Sequence, residues 1–410
     1  MRTMKLSSLG TLRNGMNYDK SSAKRGCKII GVADFAGHVF PDYSTLSEID
    51  TSIVSKDDLL KDGDILFVRS NGNKNLVGRT MYIYGITEPI CYSGFCIAFR
   101  PDVTLVCPKY LFYALRAPFC KKQYSYSQQT NITNLSQGVL GAVEVPIPDL
   151  DTQRKLAKIL FALDQKISLN THICSELESM AKTLYDYWFV QFDFPDENGR
   201  PYRASGGEMV WNPQLKREIP KEWEVGNLYS IADFVNGLAC QKYRPKDGDP
   251  GLPVIKIKEM HDGITADTEK VSANIPEKNK VIDGDVLFSW SATLEVMYWF
   301  GGNGGLNQHI FKVNPKSYFS KEYVFEQLSA YVINFVKMAE ARKTTMGHIT
   351  TDHLEQSRIV LPPEAIIEKI TLLLHPIHTK IGQLNQENRE LIKLRDWLLP
   401  MLMNGQARVE

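Results

Sequence analysis

The pattern of this sequence occurs twice, and the second copy begins about halfway along the chain. The repeated segments keep their order, while the separation between the two copies drifts by a few positions. Each segment is followed here by its second copy: Asn14-Gly15 and Asn236-Gly237; Asp62-Gly63-Asp64-Ile65-Leu66-Phe67 and Asp283-Gly284-Asp285-Val286-Leu287-Phe288; Tyr110-Leu111-Phe112 and Tyr323-Val324-Phe325; Ile147-Pro148 and Leu361-Pro362. This pattern predicts an internal tandem duplication of one domain whose loops have diverged. Two similar halves suit a ligand that itself has two parts.

The bulk composition is that of a folded protein too long for a single core. With 410 residues, 43% apolar and 23% charged, we expect two globular units of about 150 residues plus helices. No uninterrupted apolar run approaches the ~18 residues of a membrane span. Met1 to Lys5 lead into no apolar stretch of signal length, so a cytoplasmic location is expected. The seven cysteines form no Cys-x-x-Cys pair and are expected to be free thiols.

The charge balance limits how this chain can bind nucleic acid. Its 48 basic and 47 acidic residues give a net charge of +1, whereas proteins that coat nucleic acid unaided are usually far more basic. We therefore expect any DNA binding to occur through local patches, or together with partner subunits that neutralise part of the phosphate charge.

Each half has the pattern of a mixed α/β (α+β) domain. Short strand-like runs alternate with turns rich in Gly, Asn and Asp, and a helix follows, after Pro108 in the first half and at Lys321 to Met338 in the second. The predicted strands are Lys28 to Val32, Ile65 to Val68, Arg79 to Tyr84 and Cys96 to Arg100 in residues 1–148, and Val254 to Ile257, Val286 to Ser289, Glu295 to Phe300 and Ile310 to Val313 in residues 223–362.

A long helix is predicted after each half, at residues 149–192 and 363–410. In each helix, ten positions at alternating steps of four and three are mostly apolar, which predicts a coiled-coil seam. The alternative is that each helix packs separately on its own domain. The seam positions are Leu156, Leu160, Leu163, Ile167, Asn170, Cys174, Leu177, Ala181, Leu184 and Trp188, and then Ile370, Leu374, Ile377, Ile381, Leu384, Asn388, Leu391, Arg395, Leu398 and Leu402.

The seams predict an antiparallel register. If they align end to end, the numbers of facing residues sum to 558, so Asn170 faces Asn388. A shift by one heptad would bury each amide unpaired, at a cost of about 1–3 kcal/mol, so the pair would fix the register. The alternative is that both amides point to solvent. Pro376 lies inside the second seam and predicts a kink or a helix restart near His375.

Residues 193–222 separate the first helix from the second half. This segment is rich in Pro, Gly and charge, which predicts a surface connector that lets the chain turn back for antiparallel pairing.

Motifs for catalysis are absent from the sequence. There is no Gly-x-x-x-x-Gly-Lys-Ser/Thr loop, no Asn/Asp-Pro-Pro-Tyr/Phe motif of amino methylation and no paired-carboxylate-and-lysine nuclease pattern. The glycines at 301–305 lack the spacing of a cofactor loop and are interpreted as a tight turn. His375 and His378 have no further ligand nearby in sequence and are interpreted as solvated or seam-flanking residues. We therefore expect no cofactor, no metal and no catalysis by this chain alone.

Loops at the strand ends differ most between the halves, and they carry side chains that suit DNA. Arg and Lys pair with guanine edges and phosphates, Asn suits the adenine edge, and an aromatic ring contacts a thymine methyl. A solvated turn is the alternative for any single residue, so the prediction depends on the whole set. The candidates are Arg69, Asn71, Asn73, Lys74, Lys122, Gln128, Thr130 and Asn131 in the first half and Ser289, Trp290, Ser291, Arg342, Lys343, Thr344 and His348 in the second.

The whole chain resembles the specificity (S) subunit of type I restriction-modification systems. Besides the duplicated Gly-Asp-Ile/Val-Leu-Phe strand, the matching segments are Val145-Pro146-Ile147-Pro148, Val360-Leu361-Pro362-Pro363, the helix from Asp151 to Lys155 and on through Ala162 to Ile167, and Ile219-Pro220-Lys221-Glu222-Trp223. Pro376 departs from the pattern of a straight second helix.

The resemblance implies two target-recognition domains, residues 1–148 and 223–362, separated by an antiparallel coiled coil of the two long helices. It implies an asymmetric two-part site in double-stranded DNA and partners: two adenine-modifying methyltransferase (M) subunits and two ATP-driven motor-nuclease (R) subunits. The alternatives are the recognition subunit of a fused cut-and-methylate enzyme, a scaffold that bridges two proteins without touching DNA, and a stand-alone methyltransferase. The missing methyl-transfer motifs argue against the last.

Overall fold

The computed structural model describes residues 2–18, 26–71, 76–125, 134–291, 293–341, 349 and 351–407. The chain divides into two compact units. Unit 1 comprises Met1–Leu169 with Glu390–Glu410, and unit 2 comprises Asn170–Arg389. Each unit therefore contains part of both long helices. The domain boundaries given above stay predictions.

Unit 1 contains three groups of strands. Its strands are β1 Arg2–Lys5, β2 Gly10–Asn14, β3 Cys27–Ile30, β4 Ser47–Ile49, β5 Ile65–Val68, β6 Thr80–Tyr82, β7 Ile90–Tyr92, β8 Cys96–Pro101 and β9 Glu144–Ile147. A four-stranded antiparallel sheet has the order β2-β8-β5-β6. A second sheet, β4-β3-β7, includes a parallel pairing of β3 with β7, and β1 pairs with β9. The helices that start in this unit are α1 Pro108–Arg116, α2 Pro118–Ser125, α3 Gln137–Gly141 and α4 Leu150–Tyr185.

Unit 2 repeats this arrangement. Its strands are β10 Met209–Asn212, β11 Arg217–Pro220, β12 Glu224–Gly226, β13 Ala232–Asn236, β14 Leu252–Ile255, β15 Lys270–Val271, β16 Lys280–Val281, β17 Val286–Ser289, β18 Glu295–Tyr298, β19 Gly304–Leu306, β20 Ile310–Pro315 and β21 Ile359–Leu361. The sheet order β13-β20-β17-β18 matches β2-β8-β5-β6, the parallel pair β14-β19 matches β3-β7, and β12-β21 matches β1-β9. The predicted duplication and the mixed α/β class are therefore confirmed. The helices are α5 Leu228–Ile231, α6 Ile257–Asp262, α7 Lys321–Ala341, α8 Thr351–Gln356 and α9 Glu364–Met403.

The repeated Asp-Gly-Asp segment is the turn that starts the central strand of each sheet. Gly63 and Gly284 have φ angles of 94° and 87°, which favour glycine because a side chain there would be strained. The carboxylate of Asp64 accepts from the amide of Lys61 at 2.8 Å, and that of Asp285 accepts from Ile282 at 2.9 Å. The repeat is therefore explained by the geometry of a turn.

The two long helices follow the predicted seams. All twenty predicted seam positions are buried or half-buried. In unit 1, Leu156 and Leu160 share a core with Leu402. In unit 2, Cys174 and Ala181 share a core with Leu374. The heptad spacing therefore identifies the buried face of each helix.

The helix restart predicted near His375 is wrong, because α9 runs without interruption through Pro376. Pro376 is exposed, and Leu372, whose carbonyl loses its helical donor, is 76% exposed. Water can satisfy that carbonyl, while the flanking Leu374 and Ile377 are held in the core. The helix therefore tolerates this proline.

The glycine segment differs from its prediction. Gly304 and Gly305, expected in a tight turn, lie in β19, where added Cβ atoms would overlap Ile255 and Val271. Glycine there allows close strand packing.

Residues 193–222, predicted to be a polar surface connector, contain the β10-β11 hairpin and bury Phe194. Their role as a connector stays a prediction.

Candidate nucleic-acid interface and the helix pair

Each unit has two predicted DNA-reading loops. A backbone hydrogen bond joins a residue at the start of the first loop to a residue that follows the second. In unit 1, the amide of Leu135 donates to the carbonyl of Arg69 at 2.8 Å, and in unit 2, the amide of Ile349 donates to the carbonyl of Trp290 at 3.0 Å. Arg69 and Trp290 occupy the same place in the repeat, two positions after the paired Phe67 and Phe288. Leu135 and Ile349 likewise precede the paired Ile147 and Leu361 by equal distances. The duplicated fold therefore joins the bases of both predicted loops in each unit.

In each unit a third backbone segment, which was not among the predicted site residues, is hydrogen-bonded to this pair of loop ends, here called the loop base. The amide of Arg69 donates to the carbonyl of Phe95 at 2.8 Å, and that of Trp290 to the carbonyl of His309 at 3.3 Å. Phe95 is 61% exposed, and the His309 ring lies 5.5 Å from the Trp290 ring. Phe95 precedes β8 and His309 precedes β20 at the same place in the repeat. The equal places of Phe95 and His309 in the repeat are a sequence signal from which both residues could have been predicted.

Four of the predicted DNA-contacting residues lie where their side chains reach the surface. Arg69 is half-buried, and its Nη1 donates to the carbonyl of Gly94 at 3.4 Å. Asn71 is half-buried, and Lys122 is exposed on α2. Trp290 is half-buried, and its Nε1 donates to Oδ1 of Asn236 at 3.4 Å. Outside the described residues lie Asn73, Lys74, Gln128, Thr130, Asn131, Arg342, Lys343, Thr344 and His348.

Ser289 and Ser291 do not have the exposure expected of base-contacting side chains. Ser289 is 0% exposed and Ser291 8% exposed. The Ser289 hydroxyl donates to the carbonyl of Thr293 at 2.6 Å, within its own turn. A small hydroxyl can satisfy a tight turn locally, and the structure corrects the assignment of Ser289 to a reading role.

The predicted asparagine contact is present in unit 2. Nδ2 of Asn170 donates to Oδ1 of Asn388 at 3.0 Å and to Oε2 of Glu387 at 2.8 Å. Nδ2 of Asn388 donates to Oγ1 of Thr171 at 3.3 Å. Because Asn170 is 0% and Asn388 8% exposed, the solvent-facing alternative does not hold. The function of this pair in fixing the register stays a prediction.

The seam of unit 1 contains a buried ion pair at Arg395. Nη1 of Arg395 donates to Oδ1 of Asp164 at 3.0 Å, and the Tyr113 hydroxyl donates to Oδ2 at 2.7 Å. Nη1 of Arg116 lies 3.7 Å from Oδ2. Burial by itself would lower the pKa of Arg395, but the attraction and hydrogen bond of Asp164 raise it overall. Sequence reasoning placed Arg395 in the seam but did not identify its partners.

The two histidines of α9 have separate surroundings. Nδ1 of the exposed His375 lies 2.9 Å from Glu322, whereas His378 is buried and lies 3.2 Å from Glu326. Among the described residues, no group of three or more His, Cys, Asp or Glu side chains is placed to hold a metal ion. Within the same ranges, no helix combines the length and apolar character that crossing a bilayer requires.

Relatives of known class cover most of this chain. It is 25% identical over 403 residues to the HindI specificity subunit of Haemophilus influenzae, and the match covers 85% of this chain and 87% of that protein. It is 21% identical to the EcoKI specificity subunit of Escherichia coli K12, over 99% of this chain and 89% of that protein. A crystal structure of the type I restriction-modification S subunit from M. genitalium has a similar fold, with a TM-score of 0.54 and 14% identity, covering 98% and 95% of the two chains.

The duplication is also visible at the level of the family. The family model for the type I restriction-modification DNA specificity domain matches twice, at residues 1–179 and 220–393. Each match includes one complete set of corresponding strands and the greater part of the long helix that follows it. The chain therefore belongs to the family of type I restriction-modification DNA specificity subunits.

Proposed function

We propose that this chain is the sequence-specific DNA-recognition subunit of a type I restriction-modification complex and is not catalytic by itself. The observation that carries the proposal is the duplicated loop base, Arg69 with Leu135 in unit 1 and Trp290 with Ile349 in unit 2. One fold thus presents two different loop sets from the same backbone positions. Each set reads one part of a bipartite, asymmetric DNA site.

Base reading is assigned to the loops and to the side chains around their bases. Arg69, Asn71 and Lys122 offer donors that suit guanine edges, adenine edges and phosphates. A base-reading contact is worth about 1–3 kcal/mol of discrimination, whereas loss of a phosphate contact weakens all sequences alike. Phe95 lies beside the loop base of unit 1, and His309 lies beside that of unit 2. We therefore assign Phe95 to the first reading surface and His309 to the second.

The complex also contains methyltransferase and motor-nuclease subunits, and we propose two of each. Residues 149–192 and 363–410 dock the methyltransferase subunits and set the spacing between the target-recognition domains 1–148 and 223–362. Residues 193–222 link the first helix to the second domain. The complex acts in the cytoplasm.

Domain exchange tests the assignment of one half-site to each domain. Residues 1–148 are replaced by the first domain of another family member, and the full complex is expressed in a host whose methylated motif is then sequenced. One half of the motif should change while the other half and the spacer length remain. Exchange of residues 223–362 is the matched control and should change the opposite half. A change in both halves from either exchange contradicts the proposal.

Heptad insertion tests the helix pair as a ruler. Seven residues are inserted after Asn170 and seven after Leu384, which preserves the seam in both helices. Each insertion adds ~10.5 Å of helix at 1.5 Å per residue, about three base pairs at 3.4 Å each. The methylated motif should keep both half-sites and gain a longer spacer. Full activity with an unchanged spacer would show that the helices do not set the distance.

A further inference from the structure

Two buried polar contacts lie at corresponding places in the duplicated fold. Tyr113 of α1 corresponds to Glu326 of α7, since each lies three positions after the paired Tyr110 and Tyr323. Asp164 of α4 corresponds to His378 of α9, since each lies four positions after a matching leucine of its seam. Tyr113 contacts Asp164, and Glu326 contacts His378. In each unit, one buried side-chain pair thus joins the helix after the sheet to the long helix that follows the domain.

The contact in unit 1, here called the first joint, consists of Tyr113, Arg116, Asp164 and Arg395. Asp164 is 0% exposed and accepts from the Tyr113 hydroxyl at 2.7 Å and from Nη1 of Arg395 at 3.0 Å. Burial, together with Asp164, raises the pKa of Tyr113 well above its ordinary range, so the hydroxyl remains a donor. The first joint therefore has its carboxylate on the long helix and cations on α1 and α9.

The contact in unit 2, here called the second joint, consists of Glu326 and His378 with Tyr298. Nε2 of His378 lies 3.2 Å from Oε1 of Glu326, without the alignment of a hydrogen bond, and both residues are buried. The His378 ring lies 5.1 Å from the Tyr298 ring. Glu178 of α4 is a neighbour with an exposed side chain, and partial desolvation together with the charge of Glu326 raises the pKa of its carboxyl. The second joint therefore has its carboxylate on the domain and its histidine on the long helix.

The cations of the first joint have no equivalents in the second. The positions that correspond to Arg116 and Arg395 are Ser329 and Ala181. Ser329 is neutral, and Ala181 is 0% exposed in the seam. Neither of these two positions therefore supplies the second joint with the positive charge that would balance a carboxylate on the long helix.

We propose that Asp164 and His378 are equivalent positioning residues of different chemistry, a carboxylate and an imidazole, which fix each domain on its own long helix and make the two domains non-interchangeable. With α1 placed on the second joint, Arg116 would be buried beside His378, and Tyr113 would replace the carboxylate of Glu326. With α7 placed on the first joint, the carboxylate of Glu326 would face that of Asp164. A buried charge that loses its partner is strongly unfavourable in either arrangement.

The consequence for DNA recognition rests on the proposed function. If each domain reads one half-site, a joint that holds its domain at one place along the long helix fixes where that half-site lies on the target. Loosening one joint should then relax the position of one half-site without changing the bases that are read.

The test uses the full chain with its methyltransferase subunits and has two independent readouts. The variants are Asp164→His, which places the second-joint residue in the first joint, and the double variant Tyr113→Glu/Asp164→His, which transfers the complete pair. Ser205→Ala, at an exposed position between the first long helix and the second domain, is the control. Amide hydrogen exchange of α1 and α7 reports on the joints, and methylation of duplexes whose spacer differs by one base pair reports on positioning.

In Asp164→His, the amides of α1 should exchange roughly 10- to 100-fold faster, as expected when buried partners lose their pairing, while those of α7 stay unchanged. Methylation should extend to duplexes with an altered spacer. The double variant should recover most of the protection and the spacer preference, because the carboxylate introduced on α1 then faces the imidazole and both arginines. A merely structural loss would remove methylation altogether and would not widen the spacer range.

Unchanged exchange in Asp164→His, or a double variant that exchanges as fast as the single one, would overturn the joint. Altered exchange with an unaltered spacer preference would overturn its positioning role. A failure of the proposed function is distinguishable, because the wild-type complex would then methylate no specific site. If Asp164→His does not fold, His378→Asp makes the same test in unit 2, where α7 should respond and α1 should not. Its rescue variant is Glu326→Tyr/Ser329→Arg/His378→Asp, which also supplies the cation that corresponds to Arg116.

Discussion

Unit 1 and unit 2 use the same strand order, β2-β8-β5-β6 and β13-β20-β17-β18, yet they place different side chains at corresponding points of that frame. Arg69 stands where unit 2 has Trp290, and Asp164 stands where it has His378. The backbone hydrogen bonds of the loop bases are retained in both units. Glycine turns and buried strands hold the shared backbone fold. The side chains at the loop bases and joints can therefore differ between the two units.

The largest expected effect concerns Arg395, whose corresponding position in unit 2 is Ala181. Arg395→Leu fits the apolar seam but removes the cation paired with Asp164, and breaking a buried pair costs about 3–5 kcal/mol. Amides of unit 1 should lose protection in hydrogen exchange, while those of unit 2 keep it. Lys393→Leu, an exposed position on the same helix, should change the free energy of unfolding by no more than about 0.5 kcal/mol. A stable Arg395→Leu chain would show that the ion pair is dispensable.

The second effect should be equal in the two units, because it probes the shared frame. A Cβ at Gly15 would overlap the backbone of Tyr92 and Ser93, and one at Gly237 would overlap the backbone of Leu306 and Asn307. Gly15→Ala and Gly237→Ala should each lower the free energy of unfolding of their own unit by about 1–3 kcal/mol.

Gly138→Ala provides the control for these glycine variants. Gly138 lies in α3, and its nearest neighbour to an added Cβ is Oγ of Ser136 at 3.8 Å. Alanine favours a helix, so this substitution should be neutral or stabilise the chain by up to about 1 kcal/mol. Denaturant unfolding checks all three variants, and a marked difference between Gly15→Ala and Gly237→Ala would break the equivalence of the frames.

Variants of the asparagine pair distinguish its contribution to stability from its contribution to the register of the two helices. Asn170→Leu leaves Asn388 buried without the amide of Asn170 and should cost about 1–3 kcal/mol. The double variant Asn170→Leu/Asn388→Leu should recover this stability, since an apolar pair replaces both amides. Methylation by its complex should nevertheless tolerate more than one spacer length. Loss of stability in the double variant that equals the sum of both single losses would contradict a mutual role.

The smallest effect on stability is expected at Phe95. Its ring is 61% exposed, so Phe95→Ala should change the free energy of unfolding by no more than about 0.5 kcal/mol. Methylation should fall by up to about tenfold, or about 1.4 kcal/mol, for half-sites read by unit 1 alone. Val103→Ala, at another exposed apolar position of unit 1, should leave methylation unchanged. An equal response of both half-sites would remove Phe95 from the reading surface.

Periodicity predicted the helices and several strands closely, because both depend on local pattern. The predicted strands Ile65 to Val68 and Val286 to Ser289 match β5 and β17 residue by residue, and α7 begins at the predicted Lys321. The small sheets were missed in part, because strands such as β16 and β19 have two or three residues and show no alternation.

The candidate site was less predictable, because its contacts join residues far apart in sequence. Residue type alone selected Ser289, whose burial depends on how its own turn folds. Asp164 carried no signal, since its partners Tyr113 and Arg395 lie 51 and 231 residues away. The contact of Asn170 with Asn388 was predictable because both residues are polar positions in a regular apolar seam. Aligning the two seams places them opposite each other although they are far apart in sequence.

The division of the helices between the units has a consequence for the order of folding during synthesis. Unit 2 is one continuous stretch, Asn170–Arg389, whereas the core of unit 1 includes Leu402 as well as Leu160. The stretch of roughly 240 residues between Leu160 and Leu402 takes roughly 12 to 50 s to synthesise at the usual rates of translation. The half that leaves the ribosome first is thus completed last, and until then its part of α4 exposes apolar surface that the end of α9 will cover.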